Sequence, residues 1–208
     1  MKGRSTAALF ASTKIALMTI ALMTMGWLSI GQAIAAKHDA LPLPSDSVYQ
    51  LPLKLTDQDG RVRDWRTRRG KPQLVSMFYT SCQYICPLIV DSGKAIEERL
   101  TPEERVRLNI LLISMDPARD TPAALKRVAD KRKLDTTRWT LASPPPGEVR
   151  SIAGVLGIRY RSLADGEFNH TSVLVLLGAD GRILARTERM GARPDPEFLA
   201  AVKRALAK

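Results

Sequence analysis

The sequence predicts an α/β fold: a central mixed β-sheet flanked by helices, with an added N-terminal hairpin. Three observations predict it. Two nearly continuous apolar runs of strand length, residues 72–80 and 107–116, suit strands buried on both faces. Each is followed by a stretch of helical period, so strands alternate with helices. Asp59-Gly60 and Asp180-Gly181 each sit between strand-like runs, the strong short-range signal of a hairpin turn.

The elements follow in order. Residues 53–65 form the first hairpin, turning at Asp59-Gly60. Residues 72–80 are the first buried strand. Residues 86–100 are helical: Pro87 suits the first turn, and Leu88, Ile89, Ser92, Ile96 and Leu100 keep the helix period. Residues 107–116 are the second buried strand. Residues 120–133 form a helix with Thr121 as N-cap and Pro122 at its first position. A short strand, 138–143, is stopped by Pro144-Pro145-Pro146, and 147–157 read as a third helix. Residues 170–187 form a second hairpin about Asp180-Gly181, and 195–207 close the chain as an amphipathic helix. A β-α-β start with cysteines at the first strand-to-helix turn, and a late hairpin followed by a helix, is the plan of thioredoxin-like folds.

The 208 residues, 45% hydrophobic and 25% charged, suffice for one domain of ordinary size plus extras. Lys2, Arg4 and Lys14 precede an uncharged stretch, 15–36. A bilayer-crossing helix needs about 20 residues, whereas a cleaved signal has a shorter apolar region and ends on small residues. Ala33-Ile34-Ala35 fits such an end. Residues 1–35 are therefore expected to be a signal peptide or a membrane anchor. Both place the positive end in the cytoplasm and the rest beyond the membrane. The expected location is the periplasm or the periplasmic face of the inner membrane, an oxidising space for cysteines. Residues 36–50, with two prolines and no periodicity, read as a linker, and the domain is expected to span 51–208. The net charge of +11 includes a cluster at Arg61, Arg63, Arg66, Arg68, Arg69 and Lys71. No recognised nucleic-acid motif accompanies it, so no nucleic-acid partner is expected; a solvated basic surface near an anionic membrane suits it.

Cys82 and Cys86 are the only cysteines, spaced C-x-x-x-C across the first strand-to-helix turn. Unpaired backbone N–H groups and the positive end of the helix dipole favour a thiolate there. Residues four apart on a regular helix have Cβ atoms about 5–6 Å apart, and a disulfide wants about 3.5–4.5 Å. A redox-active Cys82–Cys86 disulfide therefore requires Cys82 to lie in the loop before the helix. Two splayed thiolates also suit a soft metal ion. Of the two histidines, His38 is in the expected linker. His170 stands at the start of a strand expected to run beside the first one, so its loop approaches the cysteines. Thioredoxin-type enzymes carry a cis-proline just before that strand; this chain has Asn169-His170-Thr171. Asp116, ending the second buried strand, has two readings: a carboxylate supporting a metal ligand, or a loop-shaping residue, with Asp116-Pro117 starting a turn and Asp120 capping. Met77 and Met115 have apolar neighbours and read as core.

At these positions the chain resembles the Sco/SenC copper chaperones. "YTSCQYICP" matches the T-x-C-x-x-x-C-P pattern of that family, and "ISMDPARDTP" matches its I-S-x-D-P-x-x-D-T-P stretch. His170 stands where the family has its third metal ligand. The resemblance covers roughly residues 51–207. It implies a thioredoxin-like fold and a copper ion held by Cys82, Cys86 and His170. It also implies a role in building the dinuclear copper centre of cytochrome c oxidase subunit II, or of another copper-site protein, with a thioredoxin-like reductant as a further partner. Many members read C-P-D-x-C between the cysteines; Gln83-Tyr84-Ile85 here lacks the acid. Two functions stay open: a copper-binding assembly protein, and a thiol:disulfide oxidoreductase acting on a partner's copper-site cysteines. A peroxidase fits poorly, since no T-x-x-C pattern with an activating arginine is present. A purely structural disulfide across so short a loop would stabilise little.

Overall fold

The structure is a computed structural model that describes residues 42–82 and 85–207, with the side chains of Ile85 and Cys86 outside that description. The expected signal or anchor, residues 1–35, and His38 lie outside the described residues. No helix among the described residues is long and apolar enough to cross a membrane.

The first hairpin pairs β1 (Lys54–Asp57) with β2 (Val62–Asp64). Its turn is closed by the Asp57 carboxylate, which accepts from the N–H groups of Asp59 and Arg61, each at 2.9 Å. Gly60 supplies the positive φ of +77°. The core strands are β3 (Gln73–Phe78), β4 (Asn109–Ser114) and β5 (Trp139–Ser143). Every residue of β3 is buried, as its unbroken apolar run predicts. Helix α1 (Ile85–Glu98) follows β3. A short helix, α2 (Pro102–Arg105), precedes β4, and α3 (Pro122–Lys131) joins β4 to β5. As expected, the Thr121 hydroxyl accepts from the Ala124 N–H and Pro122 opens α3. After β5 come α4 (Val149–Val155), β6 (Tyr160–Ser162), β7 (Phe168–His170), β8 (Leu174–Leu177), β9 (Ile183–Thr187) and α5 (Pro196–Leu206).

Seven strands form one sheet in the order β2-β1-β5-β4-β3-β8-β9. The pairs β3/β4 and β4/β5 are parallel and the others antiparallel, so the sheet is mixed. With its flanking helices this is the thioredoxin-like plan. Helix α1 is seated closely on β5. A Cβ on Gly93 would stand 2.6 Å from the Trp139 ring, so only glycine lets the two approach. One turn on, the Glu97 carboxylate accepts from the Trp139 indole N–H at 2.9 Å and pairs with Arg138.

Three features depart from the sequence expectation. The packed chain begins at Leu43 rather than 51. Val48 and Tyr49, expected in the linker, are buried, and the Ser47 hydroxyl donates to the Asp180 carbonyl at 2.6 Å. Burying a large apolar side chain gains about 1.5–3 kcal/mol, and Tyr49 finds Trp65 edge-on at 5.6 Å. Helix α2 was unforeseen although Thr101 and Glu104 form a capping box at its start. Finally, His170 does not open the strand beside β3. It ends β7, which pairs with β6 in a separate two-stranded sheet. Asp165-Gly166 turns this small hairpin, with Gly166 at φ +82°.

Candidate metal centre

Strand β3 delivers the cysteine turn. Its last residue, Phe78, lies in the core, and Tyr79, Thr80 and Ser81 lead to Cys82. The turn is gripped from the next strand's end. Asp120, fully buried, accepts from the Thr80 N–H at 3.1 Å and the Thr80 hydroxyl at 2.6 Å. Its other oxygen accepts from the Ser114 hydroxyl at 2.5 Å. Burial pushes the Asp120 carboxyl above its ordinary pKa, and the bonds from Ser114 and Thr80 pull against that. The local chain directs Asp120 inward: the Asp116 carbonyl accepts from the N–H groups of Arg119 and Asp120, and Ser143 donates to the Asp120 carbonyl. Asp120 is therefore not the cap of α3; Thr121 is, and Asp120 reaches back to the cysteine turn.

Cys82 lies in the loop and is partly buried, and the backbone of Cys86 lies in the first turn of α1. This is the division that a Cys82–Cys86 disulfide would require. The Cys82 N–H donates to the Tyr79 carbonyl at 3.4 Å.

Tyr79 joins the two halves of the site. Its ring is buried, its hydroxyl donates to the Glu167 carboxylate at 2.8 Å, and the same hydroxyl is hydrogen-bonded with Cys82. Burial, then the bonds with Glu167 and Cys82, push the phenol far above its ordinary pKa. The ring meets Phe168 at 5.1 Å and His170 at 5.9 Å, both edge-on. The Ser76 hydroxyl donates to the Val173 carbonyl at 2.7 Å, fixing the segment that leads from His170 into β8. The loop before β8 thus approaches the cysteine turn, as expected, although His170 reaches it from β7.

His170 is the informative side chain. Its Nδ1 lies 3.3 Å from the Thr171 carbonyl oxygen. Its Nε2 is buried and has no hydrogen-bond partner among the described residues. Burial holds its pKa below the ordinary histidine value, with the Thr171 carbonyl opposing. The imidazole is therefore neutral at neutral pH. A proton on Nδ1, shared with the carbonyl, leaves the Nε2 lone pair available, which is how ligating histidines are commonly oriented. A buried acceptor left unmet costs about 1–3 kcal/mol, and a metal ion is a partner that would meet it. Thiolate sulfur with imidazole nitrogen is a donor set for a soft or borderline ion.

Asp116 is mostly buried, and its carboxylate pairs with Arg119. The Arg119 guanidinium also donates to the Gly166 carbonyl, tying the β4–α3 loop to the β6–β7 turn. Met77 and Met115 are buried in the core. A pocket of about 140 Å³ opens beside Cys82, lined in part by Pro87, Val90, Val128 and Arg132. A second, of about 290 Å³, opens beside His170 between Arg159 and Arg161. Sequence reasoning missed Asp120 and Glu167. Asp120 carried a signal, since a buried-strand end followed by a capped helix leaves one acid free to turn inward. Glu167 carried only its place after the unrecognised Asp165-Gly166 turn.

Comparison with known proteins shows what the chain is similar to. A family model described as SCO1/SenC matches residues 43–207. The SCO1 protein homolog of Bacillus subtilis (strain 168) is 25% identical over 157 residues, which cover 74% of this chain and 81% of that protein. Bradyrhizobium japonicum ScoI, solved with copper bound, aligns with a TM-score of 0.60 at 26% identity, over 74% of this chain and 98% of that one. A SCO1/SenC family lipoprotein from Bacillus anthracis str. Ames aligns with a TM-score of 0.67 at 22% identity, over 76% and 94%, a likeness of fold.

Proposed function

Since the chain belongs to the SCO1/SenC family, we propose that it is a copper-binding assembly protein that delivers copper to, or prepares, the dinuclear copper site of cytochrome c oxidase subunit II. Cys82, Cys86 and His170 are the ligands in this reading, with copper as cargo. One observation carries it: the buried Nε2 of His170, without a hydrogen-bond partner among the described residues, beside a tyrosine that touches Cys82. Tyr79 and Asp120 hold the two halves in place, and Asp116 acts one step further out, through Arg119. The uncharged stretch 15–36 supports export, with work on the periplasmic side of the inner membrane, free or anchored. A thioredoxin-like reductant is the partner that would keep the two thiols ready.

The experiment is copper content and the ultraviolet–visible spectrum of the reduced full chain in detergent, for wild type and His170→Ala. Wild type is expected to bind copper stoichiometrically and to show a thiolate-to-copper(II) charge-transfer band. His170→Ala should lose the band and weaken binding by more than the about 10–100-fold that loss of a supporting partner costs. Absence of copper binding by the wild type at any stoichiometry overturns the proposal. The partial exposure of Cys82 beside an open pocket favours a second reading, reduction of a partner's disulfide. His170→Ala separates the two, since disulfide reduction should survive it and copper delivery should not.

A further inference from the structure

The small hairpin that carries His170 is divided by charge. Its tip is acidic: the Asp165 carboxylate closes the turn, Glu167 accepts from Tyr79, and the Arg119 guanidinium is held there by Asp116 and attracted by Glu167. Its other end carries arginines and leads into two hollows. One, of about 470 Å³, is lined by Arg150 on α4 and by Arg159, Tyr160 and Arg161. The other, of about 290 Å³, is lined by the same Arg159, Tyr160 and Arg161 and adds Asn169, His170 and Thr171. The shared residues make the hollows adjoin, and the surface they form ends at a residue of the metal centre.

The formal charges on this surface are of one sign. Its walls hold three guanidinium groups and no carboxylate. Arg150, Arg159 and Arg161 are exposed, and among the described residues none of them pairs with an acid. Glu148, the acid nearest to Arg150 in sequence, lines neither hollow. The cleft beside the first hairpin shows the contrast: there Asp57, Asp59 and Asp64 stand among the arginines. Tyr160 is half-buried, lies opposite His170 and has its ring 6.4 Å from that of Phe168. Arginine and an anchored tyrosine are the residues that protein interfaces favour, above all at their energetic centres. An unpaired guanidinium presents a fork of donors that matches a carboxylate. A lipid surface laid on this face would close over His170, whereas a protein that exchanges a metal ion with the centre must come to it.

We propose that Arg150, Arg159, Tyr160 and Arg161 form the docking surface for an acidic face of the protein that exchanges copper with the centre. The identity of the cargo rests on the copper-assembly reading; the docking rests on the surface itself. Unpaired charges of one sign steer the encounter and set its orientation. Carboxylates around the partner's own copper site would thus be drawn to the arginines and bring that site to His170.

Two arms test it, both on the full chain in neutral detergent micelles. The first measures binding of a fluorescent oligoglutamate peptide by anisotropy, without metal. Arg159→Gln/Arg161→Gln should weaken binding about fivefold, and Arg99→Gln/Arg107→Gln, an equal loss of charge at exposed arginines elsewhere, by less than about twofold. The second measures copper transfer from the loaded chain to reduced, copper-free cytochrome c oxidase subunit II. Arg159→Gln/Arg161→Gln should keep the wild-type copper content and charge-transfer band, yet transfer about tenfold more slowly at low salt, the difference closing at high salt. The docking surface is overturned if the two double variants bind the peptide alike, or if transfer at low salt is unaffected. It is overturned also if Arg159→Gln/Arg161→Gln keeps peptide binding and instead loses a preference for phosphatidylglycerol over phosphatidylcholine vesicles, which would make the patch a membrane contact. Failure of the wild type to load or pass on copper, with peptide binding as expected, breaks the copper-assembly reading and supports the surface as the seat of another acidic protein.

Discussion

The two ends of strand β3 are built from similar materials and left in different states. At the Gln73 end a buried amide, a phenol and a guanidinium satisfy one another's hydrogen bonds. At the Phe78 end, Asp120 and Glu167 hold Thr80 and Tyr79, and one buried lone pair, His170 Nε2, goes unmet among the described residues. One end is closed on itself, and the other leaves a lone pair that a Lewis acid would meet.

The largest effect on stability should come from breaking the clamp at the cysteine end. Asp120→Ala leaves the Thr80 N–H and the Thr80 and Ser114 hydroxyls without their acceptor in a buried site, and should cost about 4 kcal/mol in urea unfolding. Asp120→Asn sharpens the reading through pH. The native pKa of Asp120 lies above the ordinary 3.8, so the folded chain holds this proton more tightly than the unfolded one. That contribution to stability is full below the unfolded value and is lost as pH rises through the folded one. The wild-type advantage over Asp120→Asn should therefore be largest below the ordinary carboxyl pKa of 3.8 and shrink as pH rises above it.

At the other end Gln73→Leu strips Arg68 and Tyr49 of their shared partner and should cost about 2 kcal/mol, while leaving the proposed copper spectrum unchanged. A change in that spectrum would mean the two ends are coupled through β3. The smallest effect is expected from Tyr79→Phe. Its ring contacts with Phe168 and His170 remain, and the lost hydroxyl should cost about 1 kcal/mol. The charge-transfer band should move without disappearing, because the group that touches Cys82 is gone.

Much of the sheet was legible because its signals are local. The apolar run of β3, the Thr121-Pro122 start of α3 and the turns at Asp59-Gly60 and Asp180-Gly181 need no knowledge of distant residues. The β6–β7 hairpin carried the same Asp-Gly signal at Asp165-Gly166, but its strands have three residues each, too few for alternation to register. Missing it put His170 on the wrong strand. Packing of Val48 and Tyr49 was hidden because their partners, Gly181 and Trp65, are brought to them by the fold. The grip of Asp120 on Thr80 spans 40 residues, and only the parallel pairing of β3 with β4 brings them together.

The small hairpin has a consequence for how such a protein can change over generations. His170 is mounted on β7, outside the seven-stranded sheet, and the hairpin is tethered at Glu167 to Tyr79 and at Gly166 to Arg119. Substitutions in 160–170 can shift the histidine without disturbing the layers that keep the chain folded. The sheet acts as a chassis and the hairpin as an adjustable bracket, so placement of the histidine and foldability are inherited as nearly separate traits.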